Sequence, residues 1–579
     1  MDQKRLFLAI ALSVAILLGF QFFGPKRPVP PVDTKETPTG ETAKPALNPA
    51  FPGTQPLAVA PPIDQRNVPR LQILAPKVEG SINLAGARLD SLVLRDYHEE
   101  VSKESPLVRL LEPRVDPQPY YVQFGWTANG SDNVVLPGPD TLWTAQGTDL
   151  APGKPVTLSW DNKAGQVFQV VVSVDDNYMF GIEQKVQNNG SSPIQVFPWS
   201  RIRRDYKPET AGYYILHEGL LGVLDGRLQE QTYDKAKSEA EKTKGPSLKM
   251  DTTGGWAGIT DKYWLTALIP DQSLPVTAAF RHMTENGSDR YQVDFVPTAP
   301  ETVAPGAEVS ATSHLFAGAK VVQLLDRYES EYHIPNFDKA VDFGWFYFLT
   351  KPIFYALDWL FHLTGNFGVA ILIFTVCVKA LFFPLASKSY RSMSRMKLLA
   401  PKMQEIRERL KDEPQKMQGE IMQLYKAEKV NPASGCLPMV VQIPVFFSLY
   451  KVIFVTIEMR HAPFFGWIHD LSAIDPTNVF TLFGLIPWDP TQISHLLHLG
   501  AWPLIMGVTM FFQQKLNPAP PDPVQARIFQ FMPIIFTFML ARFPAGLVIY
   551  WSWNNTLTIL QQWTIMRRTR LPKPALARP

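Results

Sequence analysis

The chain contains 579 residues, which is too long for one ordinary domain, so at least two folded units are expected. Its 56 basic and 53 acidic residues nearly balance, so the overall charge says little, and no direct nucleic-acid partner is predicted. The two cysteines, Cys377 and Cys436, lie within or beside apolar segments and indicate neither a disulfide framework nor a metal site.

The N-terminus has the pattern of a membrane anchor over residues 1–24. Residues 6–24 are almost entirely apolar, and at a helical rise of 1.5 Å they would span roughly 28 Å, which matches the hydrocarbon core of a bilayer. Lys4 and Arg5 precede this run, as in a secretory signal peptide, so a cleaved signal is the alternative. Because the run ends in bulky residues without a small-x-small cleavage site, the uncleaved anchor is favoured.

Residues 25–62 contain eleven prolines and are predicted to be an extended linker, since they cannot bury enough surface to fold. Residues 63–335 then show short β-branched and aromatic runs separated by turn residues, which predicts an antiparallel β-sandwich domain. The clearest predicted strands are Tyr120–Trp126, Val167–Val174, Tyr178–Val186 and Ile194–Phe197. No run of 18 apolar residues occurs here, so the domain is expected to lie outside the bilayer.

The β domain carries no recognisable catalytic or cofactor motif, and no cofactor or metal is predicted. Asp205, His217, Glu218 and Asp261 have the side chains of a carbohydrate site. Solvated loop residues are the favoured interpretation, and a membrane-tethered carbohydrate enzyme remains the alternative.

Residues 343–568 are predicted to form a helical membrane unit. Residues 345–363 are aromatic and amphipathic, which indicates a helix that lies in the membrane interface. The predicted crossings are residues 368–385, 439–457, 501–516, 528–541 and 545–566. With the N-terminal anchor they make six transmembrane helices, so the fold class is mixed: a polytopic α-helical bundle and a β-sandwich.

The distribution of basic residues predicts the orientation. Residues 386–433 contain eleven Lys or Arg, residues 458–500 contain one, and the basic tail 567–579 contains five. The positive-inside rule therefore places 386–433 and both termini in the cytoplasm. The β domain then lies on the opposite side, which is the periplasm if the membrane is the inner membrane of a Gram-negative bacterium.

Residues 386–433 are predicted to form a cytoplasmic helical hairpin. Met393, Met396 and Met403 belong to an apolar stripe with helical spacing. Two helices that pack on one another explain this stripe, and a flexible methionine surface for varied apolar clients explains it as well. Basic residues such as Arg407 are candidates for contact with lipid headgroups or a ribosome.

Lys379 is a cation inside the predicted crossing 368–385. Its insertion costs about 2.5–3.5 kcal/mol, which makes a functional role the default, although snorkelling to nearby headgroups is the alternative. Thr375 lies on the same helical face, and Gln442 adds an amide from the next crossing. The last crossing adds a polar stripe consisting of Trp551, Asn555, Thr558 and Gln562. Because no acidic residue lies inside these crossings, a hydrated cavity open to the cytoplasm is expected.

Several motifs in one order carry a family resemblance. They are Lys426–Pro432, Gly435–Pro438, Gln442–Pro444, Trp467–Ser472, Met506–Phe512 and Phe543–Leu547. Through them the chain from about residue 343 to 568 resembles the YidC/Oxa/Alb membrane-protein insertases, and its large β domain resembles the Gram-negative YidC type. The resemblance implies a hydrophilic groove open to cytoplasm and lipid, which inserts and helps fold other membrane proteins without enzymatic chemistry, alone or with the Sec translocon.

The resemblance also implies roles for single residues. The cationic groove residue, typically arginine, corresponds to Lys379, which keeps the charge but loses the bidentate fork. Thr375 corresponds to a groove threonine, and Trp551 replaces an aromatic residue that is commonly tyrosine. Residues 479–500 depart from the family pattern as an insertion of unknown role. A secondary transporter that uses Lys379 is the remaining alternative, and the lack of internal repeats argues against it.

Overall fold

The computed structural model describes residues 68–128, 134–210, 216–285, 287–411, 413–428, 430, 437–494, 497–516 and 523–568. The predicted N-terminal anchor, the proline-rich linker and most of the basic tail lie outside these residues. Residues 431–436, which belong to two of the sequence motifs, lie outside them as well.

The described N-terminal region is built from strands. They are β1 (Arg70–Leu74), β2 (Val78–Asn83), β3 (Arg88–His98), β4 (Leu107–Leu111), β5 (Tyr120–Ala128), β6 (Thr144–Gln146), β7 (Asp149–Leu150), β8 (Val156–Asp161), β9 (Gln166–Val174), β10 (Met179–Asn188), β11 (Ile194–Arg204), β12 (Gly219–Leu224), β13 (Arg227–Thr232), β14 (Leu248–Thr253), β15 (Trp256–Thr260), β16 (Trp264–Pro270), β17 (Pro275–Glu285), β18 (Ser288–Pro297), β19 (Glu301–Val303) and β20 (Glu308–Ala319).

Helices dominate the rest of the described chain. They are α1 (Tyr233–Thr243), α2 (Val322–Glu331), α3 (Tyr347–Thr364), α4 (Phe367–Leu381), α5 (Phe383–Arg409), α6 (Pro414–Ala427), α7 (Leu437–Val455), α8 (Ala501–Leu516), α9 (Pro523–Leu540) and α10 (Ala545–Arg568). Short 3-10 turns lie at Phe337–Ala340, Ile457–Met459, Val479–Thr481 and Pro490–Gln492.

The strands form two sheets. The larger sheet has the order β14-β17-β18-β11-β5-β3-β2-β1-β7, with β4 and β19 paired beside it, and the smaller has the order β13-β12-β15-β16-β20-β10-β9-β8-β6. Pairing is antiparallel in both sheets, apart from the parallel pair of β1 and β7. The prediction of a large antiparallel β domain followed by a helical region is therefore confirmed.

The two sheets share one apolar core, because alternate residues along their strands point inward. On β9, Phe168, Val170 and Val172 are buried while the residues between them are partly exposed. Phe168 packs edge-to-face on Trp126 of β5 with ring centroids 5.2 Å apart, which joins the two sheets across the core. The side-chain amide of Gln184 also donates to the carbonyl of Gly125 at 2.7 Å.

The predicted crossing 368–385 is not one straight helix, and this part of the prediction is corrected. Helix α4 ends at Leu381, and α5 begins at Phe383 with an angle of 66° between the two. Pro384 lies in the first turn of α5, where its missing N–H cannot continue the hydrogen-bond ladder of α4. The first helix of the predicted hairpin therefore begins inside the predicted crossing.

Within the described residues, no single helix is both long enough and apolar enough to cross a membrane, whereas this bent pair together has that length and apolarity. Six transmembrane helices therefore stay a prediction. The other predicted segments of the helical region correspond to α3, α7, α8, α9 and α10, whose ends differ from the predicted bounds by a few residues.

A junction of polar contacts connects the β domain to the helical region. The ammonium group of Lys351 on α3 lies 2.9 Å from a carboxylate oxygen of Asp326 and 2.5 Å from one of Asp338. The guanidinium of Arg460, beyond α7, donates to the carbonyl of His98 and lies 5.3 Å from the ring centroid of Trp264. The Arg460 contacts hold the end of α7 against the β domain, and the Lys351 contacts hold α3.

Glu458 lies at the centre of this junction. Its Oε1 accepts the backbone N–H of Val322, the first residue of α2, at 3.1 Å. Its Oε2 is buried without a hydrogen-bond partner among the described residues. Burial therefore raises the pKa of Glu458 from 4.5 to about 7, and the nearby Asp358 acts in the same direction.

Protonation of Glu458 is expected to stabilise the folded junction, since its folded pKa lies above its ordinary value. This contribution is fully present below about pH 4.5 and is lost as the pH rises through about 7. We expect the full-length protein in detergent to unfold a few degrees lower at pH 8 than at pH 6. Thermal unfolding of Glu458→Gln should show a smaller difference, and an unchanged pH dependence in that variant would contradict the assignment.

Candidate functional site

A cavity of about 510 Å³ lies among the helices of the C-terminal region. Four of the predicted groove residues line it, namely Lys379 on α4, Gln442 on α7, and Trp551 and Asn555 on α10. Residues of α5, α8 and α9 complete the wall. The structure thus brings together side chains that lie far apart in the sequence.

The ammonium group of Lys379 donates a hydrogen bond of 2.9 Å to the hydroxyl oxygen of Thr558 on α10. The Thr558 hydroxyl in turn donates to the backbone carbonyl of Asn554 at 2.7 Å, which directs its lone pairs toward the lysine. No carboxylate forms an ion pair with Lys379 in the part of the chain that the structure describes. The charge is therefore stabilised by neutral dipoles at this site.

The other polar residues of the cavity tie its helices together. The side-chain amide of Gln442 donates to the hydroxyl of Tyr550, which connects α7 to α10. Asn555 donates to the hydroxyl oxygen of Thr509 on α8 at 3.3 Å. The indole of Trp551 packs on the ring of Phe446 with centroids 4.4 Å apart. Each contact crosses from α10 to a neighbouring helix.

Thr375 does not line the cavity, although its spacing from Lys379 places it on the same face of α4. Its side chain is buried, and its hydroxyl donates to the carbonyl of Ile371 one turn earlier at 2.7 Å. Sequence reasoning also left out Asn554, whose buried Oδ1 has no hydrogen-bond partner among the described residues. Its position in the same polar stretch of α10 is the signal that points to it.

One end of the cavity is closed by apolar packing. On α7, the polar Gln442 is followed toward the β domain by Leu449 and Ile453, which are fully buried. On α10, Ala545 and Leu547 are buried in the same way before the polar stripe begins at Trp551. The helix halves nearest the β domain thus form an apolar plug, and the polar halves lie beyond it.

The predicted hairpin uses its methionines in different ways. Met393 lines the cavity and packs against Ala386, Tyr390 and Ile565. Met403 accepts a hydrogen bond of 3.3 Å from the hydroxyl of Tyr425, which joins α5 to α6. The side chains of Met396 and Arg407 are partly buried on α5. Packing between the two helices accounts for Met403, while Met393 belongs to the cavity wall.

A carboxylate cluster at the junction has the spacing of a metal site. Oxygen atoms of Asp326, Glu329 and Asp338 lie within 4.8 Å of one another. The ammonium group of Lys351 bonds to two of these carboxylates, so it already supplies a positive charge there. The cluster therefore joins α2 to α3.

The four candidate carbohydrate residues of the β domain have internal partners. The closest contacts are Asp205 with Arg203 at 2.6 Å, Asp261 with Arg204 at 2.8 Å, and Glu218 with the N–H of Lys262 at 3.2 Å. The ring of His217 bonds to the carbonyl of Leu220 at 3.1 Å, and burial lowers its pKa to about 4. Each of the four residues therefore bonds to another group within the β domain, which gives it a structural role.

Known families cover most of the chain. A family model described as the YidC periplasmic domain matches residues 70–356, and one described as the 60Kd inner membrane protein matches residues 359–573. A protein of Granulibacter bethesdensis named membrane protein insertase YidC is 63% identical over 581 residues, which is 100% of both chains. The protein of the same name from Acidiphilium cryptum is 56% identical over 88% of this chain and 86% of its own.

These matches define an inner-membrane protein with a periplasmic domain, in a group whose members are named as insertases, a non-enzymatic function. The chain belongs to the YidC family of membrane protein insertases. A solved structure described as an active YidC insertase superposes with a TM-score of 0.34 and 18% identity, over 85% of this chain and 91% of that one. The family assignment does not depend on it.

The cavity predicts different environments for two adjacent residues of α10. Gln561 lines the cavity, whereas Leu560 is 52% exposed and lies outside it. In vesicles, with Cys377 and Cys436 replaced by serine, we expect Gln561→Cys to react with a charged maleimide at least about tenfold faster than Leu560→Cys. We expect Leu560→Cys to face lipid, where an apolar environment raises the pKa of its thiol. Each unit of that increase lowers the fraction of the reactive thiolate about tenfold. Equally slow reaction at the two positions would show that the cavity is not hydrated.

Proposed function

We propose that this chain inserts membrane proteins by admitting a polar segment of the client into the cavity that Lys379 lines. The observation that carries the proposal is an ammonium group bonded to a neutral hydroxyl, inside a bundle of apolar helices. Such a charge is expensive in a membrane and is retained where it has a function. The names of the relatives point the same way.

The proposed topology has six crossings. They are the N-terminal anchor, α4 together with the first residues of α5 up to Leu385, and the helices α7, α8, α9 and α10. The positive-inside rule places α6, the part of α5 beyond Leu385 and both termini in the cytoplasm, and it places the β domain in the periplasm. The apolar plug then lies on the periplasmic side, and the polar part of the cavity faces the cytoplasm.

In this mechanism Lys379 attracts acidic residues in the short translocated tail of a client. At an effective dielectric constant of 20, two unit charges 4 Å apart attract by about 4 kcal/mol, which offsets part of the cost of leaving water. Thr558 competes weakly, because a neutral hydroxyl is a poorer partner for an ammonium group than a carboxylate is. The lysine can therefore exchange its partner when a client arrives.

The client's apolar helix leaves the cavity sideways into lipid along α4 and α7. Ile443 on α7 lines the cavity and is also 45% exposed, so it marks where the cavity meets the outer surface. Val376 on α4 and Phe447 on α7 are exposed apolar side chains as well. Burial of the client's apolar surface in lipid drives this step, and no nucleotide is required.

The proposed partners are nascent membrane proteins, membrane lipids and, through the hairpin of α5 and α6, a ribosome. The cavity wall includes Met393 and Tyr390 at the start of this hairpin, so a segment that enters from the cytoplasm passes it. The same cavity serves a client handed over by the Sec translocon and a client that arrives alone.

Removal of the charge is expected to impair insertion. For a single-span client with an acidic translocated tail, Lys379→Ala should lower the inserted fraction by about tenfold, equivalent to about 1.4 kcal/mol. Lys379→Arg should insert nearly as well as the unaltered protein, because it keeps the charge. Protease protection of the client tail in reconstituted vesicles measures the inserted fraction.

Two controls separate charge from general damage. Lys388→Ala removes an exposed cation on α5 that does not line the cavity, and it should leave insertion unchanged. A client whose acidic tail residues are replaced by amides should lose most of its sensitivity to Lys379→Ala. Full insertion of the acidic client by folded Lys379→Ala would refute the proposed charge role.

A further inference from the structure

The segment between α7 and α8 contains an apolar loop, residues 479–494. This loop has no Lys or Arg, and Asp489 is its single acidic residue. Its exposed apolar side chains are Leu482, Phe483, Leu485, Ile486, Trp488 and Ile493. Leu485 is 83% exposed. So many large apolar side chains on one short loop indicate a contact surface.

The base of the loop is closed, so its two ends lie side by side. The side-chain amide of Asn478 donates to the carbonyl of Leu497 at 3.0 Å, and the N–H of Val479 donates to the carbonyl of Leu499 at 2.8 Å. The buried carboxylate of Asp475 accepts the N–H of Trp502 in the first turn of α8 at 2.9 Å. The loop is therefore attached firmly to the start of α8.

The tip of the loop has a defined conformation that turns its apolar side chains outward. Leu482 and Phe483 have φ angles of 47° and 58°, in the left-handed region that bulky side chains rarely adopt. Thr481 holds this turn, because its hydroxyl accepts the N–H of Gly484 and its carbonyl accepts the N–H of Ile486, both at 3.0 Å. Strain of this kind persists where surrounding contacts impose it, and it concentrates at functional surfaces.

Internal hydrogen bonds also satisfy polar groups of the tip. The indole N–H of Trp488 donates to the carbonyl of Phe480 at 3.1 Å, and the N–H of Phe483 donates to the carbonyl of Asn478 at 3.0 Å. Backbone groups paired in this way can approach an apolar phase at low cost, whereas unpaired groups cannot. The tip therefore fits an apolar environment better than its irregular backbone alone would indicate.

We propose that the apolar loop inserts its tip into the boundary between headgroups and acyl chains of the periplasmic leaflet. This inference rests on the proposed function, because it takes α7 and α8 as membrane crossings. The base of the loop is bonded to the start of α8, so the loop lies near the end of that proposed crossing, and tryptophan is enriched at that depth. Because the loop has no basic residue, its attraction to lipid is apolar and does not need anionic headgroups.

Insertion of the apolar loop into the leaflet also affects the position of the cavity wall. The closed base of the loop fixes the start of α8, and α8 carries Thr509, the partner of Asn555 in the cavity wall. The depth at which the tip sits in the leaflet therefore sets the depth of this wall. The insertion at residues 479–500 thus positions α8 relative to the bilayer.

A spin label tests the proposed depth. The full-length chain, with Cys377 and Cys436 replaced by serine, carries a nitroxide at Leu485→Cys or, as control, at Val135→Cys, a 52% exposed position in the β domain. Both are reconstituted at high dilution into vesicles of phosphatidylcholine and phosphatidylethanolamine without other protein. Collision with oxygen, which concentrates in lipid, and with a water-soluble nickel chelate gives the depth of each label.

We expect the label at Leu485→Cys to lose most of its collisions with the nickel chelate and to gain collisions with oxygen, unchanged at high salt. The label at Val135→Cys should remain fully accessible to the chelate. Equal chelate accessibility at the two positions would overturn the proposal. Protection that appears only at low dilution, or only after another membrane protein is added, would overturn it in favour of a second copy or a protein partner.

The measurement involves neither a client nor Lys379, so its result is separate from that of the insertion assay. A water-exposed label together with charge-dependent insertion would reject the lipid anchor and leave the proposed function intact. A buried label together with full insertion by Lys379→Ala would support the lipid contact of the loop and reject the proposed charge role of Lys379.

Discussion

A single ammonium group with no carboxylate partner among the described residues sets the conditions for the rest of the helical region. Lys379 lies among apolar helices, where a charge needs either a counter-ion or oriented dipoles and water. Thr558 supplies such a dipole, because its own proton is directed to the Asn554 carbonyl and its lone pairs are left for the lysine. The helices around the cavity are connected by polar contacts of the same kind, so charge and cavity depend on one another.

The bend after α4 determines where that charge is presented. Helix α4 ends two residues beyond Lys379, and the 66° turn directs α5 away from the axis of α4. Tyr390 and Met393 of α5 therefore form part of the cavity wall. A straight helix through Pro384 would have continued past the cavity, and the hairpin would have had no contact with it.

The sequence predicts those features that depend on local pattern. Period-two alternation predicts strands such as β9, and the cost of a buried cation singles out Lys379. Thr375 shows the limit, since helical spacing gives a shared face but does not decide whether a hydroxyl bonds to its own backbone. The contact of Glu458 with Val322 joins residues 136 positions apart, and no local pattern predicts such a pair. The angle after α4 likewise depends on packing, although Pro384 indicates its position.

Helix α10 has an apolar half near the β domain and a polar half that lines the cavity. In the proposed mechanism, this division shortens the apolar path that a client tail must cross in the bilayer. The polar stripe from Trp551 to Gln562 covers about 16 Å of helix at a rise of 1.5 Å per residue. The apolar part from Ala545 to Tyr550 covers about 8 Å. In the proposed mechanism, a client tail that reaches Trp551 through the cavity has about half of a 30 Å hydrocarbon core left to cross. The apolar part packs against Leu471 and Ile453 at the junction, and in the proposed mechanism this packing closes the path to ions and water. The β domain contacts this end of the helical region through Arg460 and Glu458, and in the proposed mechanism the closed end prevents leakage across the membrane while the open end holds the charge.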